Sequence, residues 1–144
     1  MKSVGTRFWR DPFFWLAVAA APLTWICMIH WGVLTRTAAS PISALLMVVV
    51  VSPILEEIVF RGSLQAYLYK RPALRLSVCG ISLANIITSV IFAAFHLMRQ
   101  TPVWATLVFV PSLVFGWARD RYQTLLPPII LHMFYNAGFI WLFG

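Results

Sequence analysis

Five apolar stretches, at 13–34, 41–60, 77–98, 103–118 and 125–143, are separated by short polar interruptions. About 20 apolar residues in an α-helix span the hydrocarbon core of a bilayer, and all but the stretch at 103–118 come close to that length or exceed it. The pattern predicts an all-α fold, a polytopic transmembrane bundle of about five helices, with residues 1–144 forming one membrane-embedded domain. Segment 62–76 stands apart. Leu64, Tyr67 and Leu68 recur there at helical spacing, Lys70 and Arg71 follow, and Pro72 ends the run, which predicts an extension of the second helix into the membrane interface. Pro53 removes an N–H from the second helix and frees a carbonyl one turn earlier. Pro111 predicts a kink in the fourth helix, and Ser112 with Gly116 a small-residue packing face.

Composition changes the picture only by excluding the alternatives. The chain is 61% hydrophobic and 10% charged, with a mean hydropathy of +0.85, outside the range of soluble domains of this size. Of its 11 basic residues, Lys2, Arg7 and Arg10 precede the first helix, Lys70, Arg71 and Arg75 separate the second and third, and Arg119 and Arg121 separate the fourth and fifth. Only Arg36 and Arg99 fall in the alternate loops, so the positive-inside rule predicts a cytoplasmic N-terminus and an external C-terminus. The net charge of +7 is thereby a topology signal. Its expected partner is the lipid bilayer with its anionic headgroups, and no nucleic acid is expected, because no continuous basic patch with interleaved aromatics is present. The first stretch continues past Ala17, Ala19, Ala20 and Ala21 to Trp31 and beyond, which predicts an uncleaved anchor and not a signal peptide. Cys27 and Cys79 have no CxxC spacing and point to neither a disulfide framework nor a metal site.

The candidate chemistry is concentrated in a few polar residues inside the apolar stretches. Only four residues are acidic, and two of them, Glu56 and Glu57, are adjacent in the second stretch. A charge at the centre of a membrane helix costs about 2.5–3.5 kcal/mol even on lenient scales, so a compensating partner is required. Arg61 lies four residues after Glu57, the favourable orientation for an ion pair on one helix. Successive helical residues diverge by about 100°, so Glu56 faces elsewhere. Carboxylates in apolar surroundings are the ones whose proton affinity suits general acid–base chemistry near neutrality. From this helix alone two readings stay open, a buried structural ion cluster and a free Glu56 supported by a Glu57–Arg61 pair.

The third and fifth stretches carry the remaining candidates. Asn85, Ser89, Phe92 and His96 share one helical face, a buried and partly polar wall in which Asn85 and Ser89 read as interhelical hydrogen-bonding groups. His132 and Asn136 are four apart and also share a face. They are read either as satisfied core residues or as groups converging on Glu56. His30 has no such companion and is assigned no part.

Taken together, Glu56-Glu57-x-x-x-Arg61, Phe92-x-x-x-His96 and His132-x-x-x-Asn136 resemble, in this order, the three motifs of the CAAX protease and bacteriocin-processing family of intramembrane endopeptidases. The motif core covers residues 52–136. The resemblance implies that Glu56 and His96 activate a water for attack on a peptide carbonyl, that His132 and Asn136 hold the developing oxyanion, and that Glu57, Arg61 and Phe92 support them, with no cofactor. It also implies a membrane-anchored protein substrate, cleaved near a C-terminal tail that is prenylated or bears a transmembrane sorting signal, and a place in the cytoplasmic membrane of a prokaryote. A carboxylate and an imidazole sharing the proton of a water, with donors at the tetrahedral oxygen, suit those roles.

Depth sets a condition on this reading. His132 lies only about 9 Å into a fifth helix that begins near Leu126. The motifs meet only if the hairpin of helices two and three protrudes into the cytoplasm, or if Arg99 and Gln100 cap a third helix that ends in a wet cavity, and both are expected. Two alternatives remain: a metal-dependent intramembrane hydrolase using Glu56, His96 and His132 as ligands, and a non-enzymatic membrane protein, such as a proton-coupled carrier or an immunity factor.

Overall fold

The computed structural model describes residues 7–31 and 41–143. Lys2, the end of the first apolar stretch at 32–34 and Arg36 lie outside the described residues. Five helices carry the fold: α1 (Pro12–His30), α2 (Ile42–Tyr69), α3 (Leu83–His96), α4 (Pro102–Tyr122) and α5 (Leu126–Phe143). By length and composition α1, α2 and α4 are able to cross a membrane, and α3 and α5 are apolar but shorter. The all-α bundle read from the hydrophobic pattern is the observed architecture.

Two boundaries differ from that pattern. The first residues of the third apolar stretch are not helical, because β1 (Ser77–Val78) and β2 (Ile81–Ser82) pair antiparallel across Cys79 and Gly80, whose φ values are 52° and 79°. Two successive residues at positive φ are what a two-residue hairpin turn requires. Ser82 then caps α3, its Oγ accepting from the Asn85 N–H at 3.0 Å. The fourth helix is not short. Arg119, Asp120 and Arg121 continue it to Tyr122, and Gln123 at φ 56° ends it in a left-handed cap. Charges end an apolar run without ending a helix.

Prolines act where the sequence places them. Met47–Val51 and Ile58–Gln65 within α2 are π-helical, with i to i+5 hydrogen bonding. At that spacing Pro53 is the residue that would have bonded the Val48 carbonyl, and it has no N–H. Asn136 of α5 substitutes for it, donating from Nδ2 to the Val48 carbonyl at 2.9 Å. In α4, Val108 separates the segments Pro102–Leu107 and Phe109–Tyr122 just before Pro111.

Burial is inverted relative to a soluble domain. Leu55, Val59, Ile91 and Phe95 are exposed, whereas Glu57, Arg61, Gln65, Asn85, Thr88, Ser89 and Ser112 are fully buried. A bilayer rewards this arrangement, since apolar side chains are at home in lipid and polar ones must find partners inside. One apolar cluster joins α1, α4 and α5 through Phe14, Ala21, Phe115, Tyr122, Leu131 and Tyr135, and a second gathers Met28, Phe60, Phe92 and Val108. The small-residue face of α4 is real. A Cβ at Gly116 would lie 1.9 Å from Asn85 Oδ1, and Asn85 cannot retreat, because its Nδ2 donates to the Leu113 carbonyl at 2.9 Å.

Asp11 fastens the start of α1 to the end of α4. Its carboxylate accepts from the Phe13 N–H at 3.0 Å, from Arg121 Nε at 2.8 Å and from Tyr122 Oη at 3.1 Å. Partial burial pushes the Asp11 carboxyl up, but these three hydrogen bonds and the Arg121 charge outweigh it and hold the group below its ordinary value. A depressed folded-state value means that the contribution is complete above the unfolded value, about 3.9, and is lost as the pH falls through the folded one. Thermal melts of wild type and Asp11→Ala in detergent are therefore expected to differ at neutral pH and to converge in strong acid. In the same assay Gly116→Ala is expected to lose about 1–3 kcal/mol through overpacking. Gly62→Ala meets only the movable Leu125 Cδ1 at 3.1 Å, and a much smaller loss is expected.

Candidate active site

Glu57, buried on α2, is held from two directions. Arg61 Nη1, one turn along the same helix, lies 3.0 Å from Glu57 Oε1, and His132 Nδ1 of α5 lies 2.8 Å from the same oxygen. The pairing of Glu57 with Arg61 is the one the spacing predicts. Arg61 is itself anchored on α4, donating from Nη2 to the Ser112 carbonyl at 2.9 Å and to Ser112 Oγ at 2.7 Å. Its guanidinium carbon lies 4.7 Å from the centre of the Phe92 ring, a cation–π contact. Ser112 Oγ donates to Ser89 Oγ at 3.0 Å, and Ser89 Oγ to Asn85 Oδ1 at 3.1 Å. Asn85 and Ser89 are thus interhelical hydrogen-bonding groups, as read from their stripe, and the network locks α2, α3 and α4 together around one carboxylate.

Glu56, one residue away, faces elsewhere and is only partly buried. Its Oε2 has no hydrogen-bond partner and lies 3.7 Å from His132 Nε2. The His132 ring therefore bridges the two glutamates, one at each nitrogen. It stacks on Phe115 with ring centres 4.6 Å apart and meets the edge of Phe92 at 6.0 Å.

His96, at the end of α3, packs against Phe92, with ring centres 4.6 Å apart. Its Nδ1 lies 2.9 Å from the Phe92 carbonyl. A carbonyl only accepts, so Nδ1 carries a proton at this contact and Nε2 is the ring nitrogen left for another partner. His96 and Glu56 form no ion pair with each other, and Phe92 is the residue whose ring packs against both histidines. Asn136 lies one turn beyond His132, with one amide N–H on the Val48 carbonyl and a second still available. His30 contacts the Trp31 ring edge-on and takes no part in the cluster. Among the described residues no three His, Cys, Asp or Glu side chains form a metal-ligating group, so Glu56, His96 and His132 are not assembled as a ligand set.

Leu125, immediately before α5, lies against Gly62 of α2, so α2 runs on for about 10 Å past that level to Tyr69. The N–H groups of Arg99 and Gln100 bond the His96 carbonyl at 3.1 and 2.8 Å, closing the end of α3.

Several members of the network have only a weak sequence signal or none. Gln65 continues the Glu57, Arg61 face by one more turn, and its Nε2 donates to the Gly116 carbonyl and to Asp120 Oδ1, each at 2.8 Å. That four-residue spacing could have revealed it. Asp120 also accepts from Ser82 Oγ, and neither it nor Phe115 is marked by any pattern along the chain. Removing Arg61 leaves Glu57 buried beside a single partner. Arg61→Met is expected to cost about 3–5 kcal/mol of stability, and Glu57→Met added to it is expected to restore part of that loss, as read from thermal melts of the single and double variants.

Comparison with known proteins turns on the same segment. The family model described as type II CAAX prenyl endopeptidase Rce1-like matches residues 38–138, which include all three motifs and every residue of the cluster. No curated protein and no solved structure matches significantly. Three helices able to span a bilayer and a family match over most of the chain make this an integral membrane protein, and the chain belongs to the Rce1-like family of type II CAAX prenyl endopeptidases, intramembrane proteases of the CAAX type.

Proposed function

We propose that this chain is a glutamic-type intramembrane endopeptidase in which Glu56 and His96 activate a water directly. The observation that carries the reading is the division of labour between adjacent carboxylates. Glu57 is consumed by Arg61 and His132, and Glu56 keeps an unpartnered oxygen beside the same histidine. A carboxylate oxygen without a hydrogen-bond partner is free to accept a proton from a water, which is what general-base catalysis needs.

The chemistry balances without a covalent intermediate. Glu56 and the Nε2 of His96 orient the water, Glu56 accepts one of its protons, and the oxygen adds to the peptide carbonyl carbon. His132 and Asn136 stabilise the resulting oxyanion. Collapse breaks the C–N bond, and the proton held by Glu56 passes to the leaving amine. The substrate is a membrane-tethered protein cleaved near its C-terminus, with a prenylated or transmembrane tail held in the bilayer.

In this reading the basic end of the bundle faces the cytoplasm. Arg121 pairs with Asp11, which supports placing the start of α1 and the end of α4 on the same side. In a background lacking Cys27 and Cys79, Ala73→Cys is expected to be shielded from an impermeant thiol reagent applied from outside, and Thr101→Cys to be labelled. The reverse pattern would overturn the orientation.

Activity supplies the decisive experiment, using purified protein in vesicles and a co-reconstituted tail-anchored substrate followed by mass spectrometry. Glu56→Gln is expected to remain folded and to lose cleavage. Asn136→Ala is expected to lower the rate by about 100-fold or more without moving the pH optimum, because an amide does not titrate. Cleavage is expected to survive exhaustive chelation. Restoration of activity only by stoichiometric zinc would replace the glutamate mechanism with a metal one, and retention of cleavage in Glu56→Gln would remove Glu56 from the site.

A further inference from the structure

A second polar cluster lies at the basic end of the bundle, two turns and more beyond the glutamates. Of the four acidic side chains, Asp11 pairs with Arg121 and Glu57 with Arg61, and Glu56 lies 3.7 Å from His132. Asp120 is the exception. Its carboxylate accepts from Gln65 Nε2 at 2.8 Å and from Ser82 Oγ, both neutral donors, and among the described residues it forms no ion pair. Arg119, the preceding residue, attracts it without pairing. An ionised carboxylate has about four lone-pair sites, so Asp120 keeps acceptor capacity and an unpaired charge.

Asp120 forms part of the wall of a cavity of about 190 Å³, shared with Arg75, Gly80, Ser82, Trp117 and Arg121. The two guanidiniums have donors to spare. Arg75 donates from Nε to the Tyr69 carbonyl at 2.7 Å and from Nη2 to the Lys70 carbonyl at 3.3 Å, which leaves further N–H groups and no carboxylate to balance the charge. Arg121 gives Nε to Asp11 at 2.8 Å and keeps donors on its terminal nitrogens. The indole N–H of Trp117 has no acceptor among the described residues, and its Nε1 lies against the hairpin turn, 3.4 Å from where a Cβ at Gly80 would stand. One small space therefore offers a carboxylate without a cation and several donors without an anion. A purely anionic group would meet Asp120, and a purely cationic one would meet two arginines.

Position narrows the choice further. Tyr69 ends α2 and Arg121 is the last residue but one of α4, both helices being long and apolar enough to cross a membrane. The ends of such helices lie at headgroup level, where Trp, Tyr and basic residues gather, and basic pockets between membrane helices are places where lipid headgroups bind.

We propose that this cavity binds the headgroup of phosphatidylethanolamine, with the primary ammonium on Asp120 and the phosphate on Arg75, Arg121 and the Trp117 N–H. A primary ammonium brings a positive charge together with three N–H donors. The quaternary ammonium of a choline headgroup has the charge without the donors, and a glycerol headgroup has hydroxyls without the charge. Asp120 is thereby the residue that selects, and the arginines are the residues that hold. Because Asp120 is also bonded to Gln65 of α2 and Ser82 of β2, an occupied cavity braces the end of α2, the hairpin and the end of α4 against one another.

The test uses the full chain, purified in mild detergent and stripped of lipid. Phosphatidylethanolamine, phosphatidylcholine and phosphatidylglycerol with identical acyl chains are added in turn, and binding is read by native mass spectrometry and by thermal melts. Phosphatidylethanolamine is expected to bind about tenfold or more tightly than either of the others, the worth of a hydrogen bond between charged groups, and to raise the melting temperature. Asp120→Asn is expected to abolish the preference over phosphatidylglycerol, and Arg75→Gln to weaken phosphatidylethanolamine by a similar factor. Equal binding of phosphatidylcholine would overturn recognition of a primary amine, and tighter binding of phosphatidylglycerol would reduce the cavity to a basic patch. Soluble phosphoethanolamine distinguishes the source: if it protects the protein as well as the lipid does, the lipid assignment falls. Should Asp120→Asn not fold, the ranking of the three lipids on wild type and the effect of Arg75→Gln decide. No arm reads cleavage, so the proposal stands or falls apart from the protease reading.

Discussion

The buried carboxylate of Glu57 is the point on which the bundle is organised. A charge in this position is tolerated only when its desolvation is offset by partners of good geometry, and those partners come from different parts of the chain. Arg61 is local, one turn away, but His132 comes from α5, and Arg61 in turn needs Ser112 of α4. Satisfying one charge therefore fixes the relative placement of three helices. The hydrogen bonds running from Ser112 through Ser89 to Asn85 extend the same constraint to α3.

This matters more in a bilayer than in water. Apolar side chains gain little by leaving lipid for the protein interior, so helix association depends on packing and on polar contacts. The exposed aliphatic rows of α2 and α3 are consistent with that. The close approach of Gly116 to Asn85 and of Gly138 to Trp25 supplies the packing, and the Glu57 network supplies the polar specificity. Helix α2 adds a local adjustment. Its π-helical turns flank the two glutamates, and the amide of Asn136 replaces the hydrogen bond that Pro53 cannot make. Asn136 of α5 is thus a clamp on the helix that carries the glutamates.

The functional consequence is an asymmetry between neighbours. Glu56 and Glu57 differ by one position and about 100° of rotation, and that rotation separates a group consumed by structure from one left with an unpartnered oxygen. The histidines divide in the same way, according to whether a carbonyl or a carboxylate holds Nδ1. Phe92 packs against both rings and lies under the Arg61 guanidinium, so a single apolar residue touches three of the polar ones.

The sequence by itself determined the solvent, the helix count, the Glu57–Arg61 pair and the three motifs, because apolar run length and four-residue spacing are local properties of a helix. It also marked Pro53 and Gly116 correctly, since backbone donors and small side chains act within a turn of their own position. What only the tertiary structure decided was which partners arrive from elsewhere. That Glu57 and not Glu56 takes His132 Nδ1, that Phe115 stacks on that ring, and that Gln65 and Ser82 converge on Asp120 depend on helix rotation and depth, which no spacing along one segment encodes. The hairpin at Ser77–Ser82 and the continuation of α4 through its charged end escaped hydropathy for a related reason. Apolar length reports where lipid is, and hydrogen bonding decides where a helix begins and stops.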